Sequence, residues 1–227
     1  MTVVFVSATG TEVGKTFVSR GLIKALKAKG RTVEALKPVQ SGYDPREADG
    51  SDAGLLVAAA GQEPTEETIA AVAPWRFEAP LSPHLAARRE GRSIDADAVI
   101  AFCRERIAAR KDVMVIEGVG GIMAPLDRSR TVLDLMVAVG APVVLVVGSY
   151  LGTISHTLTA LEVLRQRGLS VSAIVVSQSD DGTVVPLDDT IGALEAFGKG
   201  LPVLAVPRLP PESAPEHPVF DELAALV

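Results

Sequence analysis

A single cysteine, Cys103, occurs among the 227 residues. An internal disulfide is therefore impossible, and a lone thiol fits a reducing cytosol. A basic surplus is also missing, since 22 Lys and Arg stand against 28 Asp and Glu for a formal net charge of -6. That balance implies no basic surface for duplex nucleic acid, although an acidic protein can still hold a local phosphate site. Charge is absent altogether from Leu135 to Leu161, a stretch long enough to cross a bilayer. Gly140-Ala141-Pro142, Gly148-Ser149 and Gly152-Thr153 nevertheless punctuate it into helix, strand and loop. The opening Met1-Thr2-Val3-Val4-Phe5-Val6 lacks the positive segment of a secretory signal. The chain reads as soluble and cytoplasmic, with neither a membrane nor nucleic acid as partner. No internal repeat and no domain linker is seen.

What is present is an ordinary globular mixture, 48% hydrophobic and 22% charged. The length predicts one domain, residues 1–227, at about 100–200 residues per domain. Short Val- and Ile-rich runs at Val3–Ala8, Thr32–Pro38, Val113–Glu117, Pro142–Gly148, Val171–Ser177 and Pro202–Val206 read as strands buried on both faces. Helical stretches separate them, near Lys15–Lys29, Asp95–Arg110, Thr131–Val139, Thr153–Arg167 and Leu187–Phe197. This alternation predicts a single-domain α/β fold, a mainly parallel sheet with helices on both faces. Residues 40–94, with Pro64, Pro74, Pro80 and Pro83, are expected to hold only short helices, and Pro207–Pro218 to form a surface loop or mobile tail. In such sheets ligands sit beyond the carboxyl ends of the strands.

After the first run comes Ala8-Thr9-Gly10-Thr11-Glu12-Val13-Gly14-Lys15-Thr16. Gly-Lys-Thr after an apolar strand and at the mouth of a helix reads as a phosphate loop of the P-loop NTPase type rather than an ordinary strand-to-helix turn. Gly14 permits a turn of backbone N–H groups, Lys15 supplies a cation to the β- and γ-phosphates, and the Thr16 hydroxyl can ligate magnesium. Threonine stands at position 9, where the strict consensus has glycine. Glu12 is unexpected, because a carboxylate beside a triphosphate is repelled; it needs a cation or must point away.

The second run ends in Lys37-Pro38-Val39-Gln40-Ser41-Gly42. Lys37 at this strand tip either snorkels to solvent or joins Lys15 in flanking a transferring phosphoryl group. Asp52 reads equally as a helix cap or as a site carboxylate. The third run ends in Glu117-Gly118-Val119-Gly120-Gly121, and an acidic residue there is where a further magnesium ligand is expected. Thr16, Asp52 and Glu117 would together supply three hard oxygen ligands.

These motifs, with Ser82-Pro83-His84 and Leu151-Gly152-Thr153-Ile154-Ser155-His156, resemble the dethiobiotin synthetase family in order and spacing across almost the whole chain. The resemblance implies an ATP- and Mg2+-dependent ligase of biotin synthesis that closes a cyclic urea from 7,8-diaminononanoate and CO2, through a carbamate and a carbamic–phosphoric anhydride. It implies Lys15, Lys37 and Thr11 as catalytic residues, with Thr11 and Ser41 against the diamine. The magnesium ligands become Thr16, Asp52 and Glu117. The nucleotide is expected on Glu12, Val13, Gly14, Lys15, Thr16, Phe17, Gly118, Val119 and Gly120. Gly152, Thr153, Ile154 and Ser155 open a helix whose amides would hold the substrate carboxylate across a homodimer interface.

Departures from the family are Ala8 for glycine, Ser155 for asparagine, and Ser177-Gln178 where an asparagine begins the adenine turn. Looser adenine selection is expected, with Pro207, Arg208, Leu209 and Glu212 assisting from the far loop. Ser82 and Pro83 read as N-cap and first residue of a helix. Cys103, Trp75 and Phe77 read as core filling, and no His/Cys/Asp spacing suggests zinc. A switch ATPase of the MinD/ParA type is the alternative, but positions 8–13 hold no additional lysine and the last eight residues, Phe220–Val227, no basic helix.

Overall fold

The computed structural model describes residues 2–179, 185–209 and 216–227. Strand β1 (Thr2–Ala8) leads through the phosphate loop into α1 (Lys15–Ala28). Next come β2 (Val33–Leu36), β3 (Val39–Ser41), a 3-10 turn (Pro45–Gly50), α2 (Asp52–Ala60), α3 (Glu66–Val72), β4 (Trp75–Phe77) and α4 (Pro83–Arg89). The remainder alternates: α5 (Ala96–Ala109), β5 (Val113–Glu117), α6 (Val132–Val139), β6 (Val143–Gly148), α7 (Thr153–Gln166), β7 (Val171–Ser177), α8 (Leu187–Phe197), β8 (Val203–Val206) and α9 (Pro218–Ala225).

Among the described residues six strands form one sheet in the order β2-β5-β1-β6-β7-β8, every pair parallel. Successive side chains along each strand go to opposite cores. Phe5, Met114, Ile116, Leu145 and Ile174 pack with Cys103 of α5, Met136 of α6 and Leu164 of α7. Val4, Val6, Val115, Val144 and Val175 pack with Leu22 and Leu26 of α1 and Phe220 of α9. Burial on both faces is why the strands are continuous apolar runs rather than alternating ones. Gly30 turns the chain after α1 in the left-handed region (φ 79), with the N–H of Arg31 bonded to Leu26 O at 3.1 Å.

Two features depart from the sequence reading. The proline-rich end is not wholly loop, because α9 starts at Pro218. His217 accepts from the Val219 N–H through Nδ1 at 3.3 Å, and Phe220 packs on Gly21, where a Cβ would come within 2.4 Å of its ring. The three-residue strands β3 and β4 pair in a separate parallel ribbon beside the main sheet. The uncharged stretch divides, as its glycines and proline predict, into α6, β6 and α7, and among the described residues no helix is long and apolar enough to cross a membrane.

Candidate active site

Because β2, β5 and β1 are parallel neighbours, their carboxyl ends open on one edge of the sheet. The phosphate loop follows β1, Lys37 follows β2, and Glu117 is the last residue of β5. The loop is bent by two left-handed residues, Glu12 (φ 59) and Gly14 (φ 89). Gly14 has a second reason to be glycine, since a Cβ there would sit 2.7 Å from Ser177 Oγ at the end of β7. Such a φ at glutamate costs on the order of 1–3 kcal/mol and is held by its surroundings. Lys15 folds back to donate to Gly10 O at 3.2 Å.

Four side chains meet at the strand tips. Lys37 Nζ lies 2.5 Å from Glu117 Oε1, 2.9 Å from Asp52 Oδ2 and 3.1 Å from Gly118 O, so each of its three N–H donors has an acceptor. Thr16 Oγ1 stands 2.8 Å from Asp52 Oδ1 and 2.9 Å from Glu117 Oε1. Its one proton serves one carboxylate at a time. Lys37 is 2% and Glu117 0% exposed. Asp52 is half-buried and begins α2, but it does not cap it; Ser51 does, accepting from the Gly54 N–H at 3.1 Å. The Asp52 carboxylate faces the cluster instead, which removes the cap reading of that residue.

Burial works against the charge on Lys37, yet Glu117 and Asp52 outweigh it and hold its pKa above the ordinary lysine value. Burial would likewise raise Asp52, but Lys37 and Thr16 hold it below the usual aspartate range. Lys15 differs: burial and the nearby Lys37 charge bring it down to about 8, against the pull of Glu117 and Asp52. Glu117 Oε2 is buried and has no hydrogen-bond partner among the described residues. An orphaned carboxylate oxygen beside an aspartate and a threonine hydroxyl is a hard-oxygen donor set that fits a magnesium ion.

The phosphate loop divides two cavities. The first, of about 870 Å³, is lined by Lys15, Thr16, Lys37, Ser41, Asp52, Val119 and Gly120. The second, of about 610 Å³, is lined by Val13, Ser177, Gln178, Pro207, Arg208 and Leu209. Thr11, Glu12, Gly14 and Phe17 line both. Glu12 is exposed at the divide. Gly118 lines neither; it packs under Phe5 and Val132, where a Cβ would come within 3.1 Å of the Phe5 ring, and contributes its carbonyl to Lys37. Gln178 Oε1 accepts from the Arg208 N–H at 2.9 Å, tying the two base-side turns together. Glu212 lies outside the described residues.

Gly152, Thr153, Ile154 and Ser155 line neither cavity. The Thr153 hydroxyl is engaged by Gly148 O at 2.7 Å, while Gly152 and Ser155 are exposed. Ser82 does precede α4 with Pro83 as its first residue, but its hydroxyl makes no cap bond and both residues line the first cavity. Cys103 is buried, its thiol pushed up to about 12 by desolvation. Trp75 packs edge-on against Phe102. Tyr150 and Ser179, on the second cavity, carry no local signal in the sequence. They arrive there because β6 and β7 are neighbours.

The parallel sheet, the Gly-Lys-Thr loop opening α1 and the acidic end of β5 define a P-loop nucleotide-binding protein. Solved structures with this architecture include MinD from Pyrococcus horikoshii complexed with Mg-ADP, 16% identical, with a TM-score of 0.57 over 98% of this chain and 94% of that one. HypB from Archaeoglobus fulgidus is 12% identical, with a TM-score of 0.56 over 100% and 91%. At such identities the likeness establishes the fold alone. The AAA domain family model matches residues 2–216. Curated relatives are closer in sequence. An ATP-dependent dethiobiotin synthetase BioD from Caulobacter vibrioides is 50% identical over 90% of this chain and 91% of its own length. Another, from Acidiphilium cryptum, is 47% identical over 82% and 83%. The chain belongs to the ATP-dependent dethiobiotin synthetase family.

Proposed function

We propose that residues 1–227 act as one unit that forms the cyclic urea of dethiobiotin from 7,8-diaminononanoate, CO2 and ATP. The observation that carries this reading is the meeting of Lys15, Lys37, Thr16, Asp52 and Glu117 at one sheet edge beside the first cavity. One substrate amine adds CO2 and loses a proton, giving a carbamate. A carbamate oxygen attacks the γ-phosphorus and ADP leaves. The second amine then attacks the carbonyl carbon of the carbamic–phosphoric anhydride, expelling phosphate and closing the ring.

Such a transfer asks for positioning and charge neutralisation rather than a protein nucleophile. The Thr11 and Ser41 hydroxyls orient the diamine and its carbamate from the wall of the first cavity. Lys15 holds the β- and γ-phosphates. Lys37 exchanges one of its present acceptors for a phosphoryl oxygen as negative charge develops there. Val119 and Gly120 bring backbone against the reacting groups, and Gly118 steadies Lys37. Thr16, Asp52 and Glu117 hold Mg2+, which neutralises phosphate charge when bound. The base lies in the second cavity against Val13, Phe17, Ser177, Gln178, Pro207, Arg208 and Leu209. Glu12 stands between the two cavities.

The segment Gly152–Ser155 lines neither cavity of its own chain, which supports a homodimer in which the start of α7 in one copy receives the substrate carboxylate of the other. A cytoplasmic location agrees with the single buried thiol and the use of ATP. The test is ADP release with diaminononanoate, bicarbonate and MgATP, omitting each in turn. Omission of the diamine should abolish ADP release. Undiminished release would assign the chain to ATP switching instead.

A further inference from the structure

We propose that Gln40 is a positioning residue for the metal site: its side-chain oxygen anchors the first turn of α2 and so sets the Asp52 carboxylate against Lys37 and Thr16. The inference rests on the reading of Asp52 as a magnesium ligand. Gln40 is the middle residue of the short strand β3, and it is 3% exposed. A buried glutamine needs a partner. It finds one in the Ala53 N–H, which donates to Gln40 Oε1 at 3.0 Å. That N–H belongs to the peptide unit whose carbonyl is Asp52's own. The bond therefore fixes the peptide plane from which the Asp52 side chain departs.

The rest of the turn is held as firmly. Ser51 Oγ accepts from the Gly54 N–H at 3.1 Å, and Ser51 O from the Leu55 N–H at 2.8 Å. Gly54 lies so close to the preceding turn that a Cβ would sit 2.2 Å from Ala48 O. The start of α2 is thus clamped between that turn on one side and Gln40 on the other. Gln40 also stands three residues after Lys37 and one before Ser41 on a single extended segment. One stretch of chain thereby places a cation, presents a hydroxyl to the first cavity and, through Gln40, orients a carboxylate from another element. Partners of this kind behind metal ligands typically matter about 10–100-fold in metal affinity.

The test uses Mn2+ as the probe ion, with free Mn2+ followed by its paramagnetic resonance signal in the presence of saturating ADP. Gln40→Met keeps the volume and removes the acceptor. It should weaken Mn2+ binding about tenfold or more while leaving ADP affinity in EDTA within about twofold of wild type, a separation that a general loss of fold does not give. Gln40→Glu keeps an acceptor oxygen and should retain Mn2+ affinity to within about threefold. Unchanged Mn2+ binding in Gln40→Met, a parallel loss of metal-free ADP binding, or a Gln40→Glu as weak as Gln40→Met would each overturn the proposal. Asp52→Ala is the control for the underlying reading. If it binds Mn2+ like wild type, the assignment of Asp52 as ligand fails. If it weakens Mn2+ binding and Gln40→Met does not, only the role of Gln40 fails.

Discussion

Replacing Lys37 by methionine should destabilise the protein because it strands Glu117. That carboxylate is 0% exposed, and its cationic partner 2.5 Å away is itself 2% exposed. Removing one member of a buried pair costs about 3–5 kcal/mol, because the Thr16 hydroxyl and the Lys15 charge offset the remaining Glu117 carboxylate only in part. Asp52 is half-exposed at the same ammonium and is left to water, so it adds little. For a chain of this size each kcal/mol moves the midpoint by about 2–4 °C, which puts the fall at roughly 6–20 °C. The diagnostic variant is the double one. Glu117→Gln in the Lys37→Met background removes the stranded charge and should restore at least about 2 kcal/mol. Urea unfolding in EDTA, followed by far-ultraviolet circular dichroism, reads both free-energy changes, and a thermal melt in the same buffer reads the midpoint. A double variant less stable than Lys37→Met alone would refute the electrostatic reasoning and leave Lys37 as a packing element.

Two further outcomes are expected. Lys15 has its pKa lowered from 10.5 to about 8 by burial and by Lys37, so the free protein loses that proton above pH 8 while bound phosphate needs it. ADP affinity in EDTA should therefore drop about twofold by pH 8 and about tenfold by pH 9, with proton uptake on binding measured by calorimetry in two buffers; constant affinity would contradict it. The unfolded chain binds more protons between pH 8 and 10.5, so the Lys15 contribution to stability rises with pH through that window. At the base, Gln178 Oε1 already accepts from the Arg208 N–H, and its second lone pair and two amide N–H donors can pair with more than one base. Turnover with ATP, CTP and GTP should then differ modestly, and an ATP preference of several hundredfold would remove the idea.

Much of the site is legible in the sequence because its residues follow apolar runs, and a parallel sheet brings all such run ends to one edge. Lys37 and Glu117 are found by that rule without any contact being known. Whether Asp52 caps α2 is not legible, since Ser51 and Asp52 are both good N-caps and only the Ser51–Gly54 bond gives that role to Ser51. Gln40 is invisible for a related reason: its partner is a backbone N–H thirteen residues away, in a helix that the proline-rich region suggests only vaguely. Strands β3 and β4 are three residues long, too short for a period to register. Helix α9 hides behind Pro218, which signals a loop in isolation but serves as the first helical residue once Phe220 has Gly21 to pack on.

The most direct measurement is steady-state turnover of Lys37→Gln beside its ADP dissociation constant, both with Mg2+ present. If Lys37 and Lys15 meet the terminal phosphoryl group as it transfers, kcat should fall by about 10²–10³, while ADP, which lacks that group, binds within about threefold of wild type. Equal losses in turnover and in ADP binding would place Lys37 in nucleotide holding and contradict its part in the transfer.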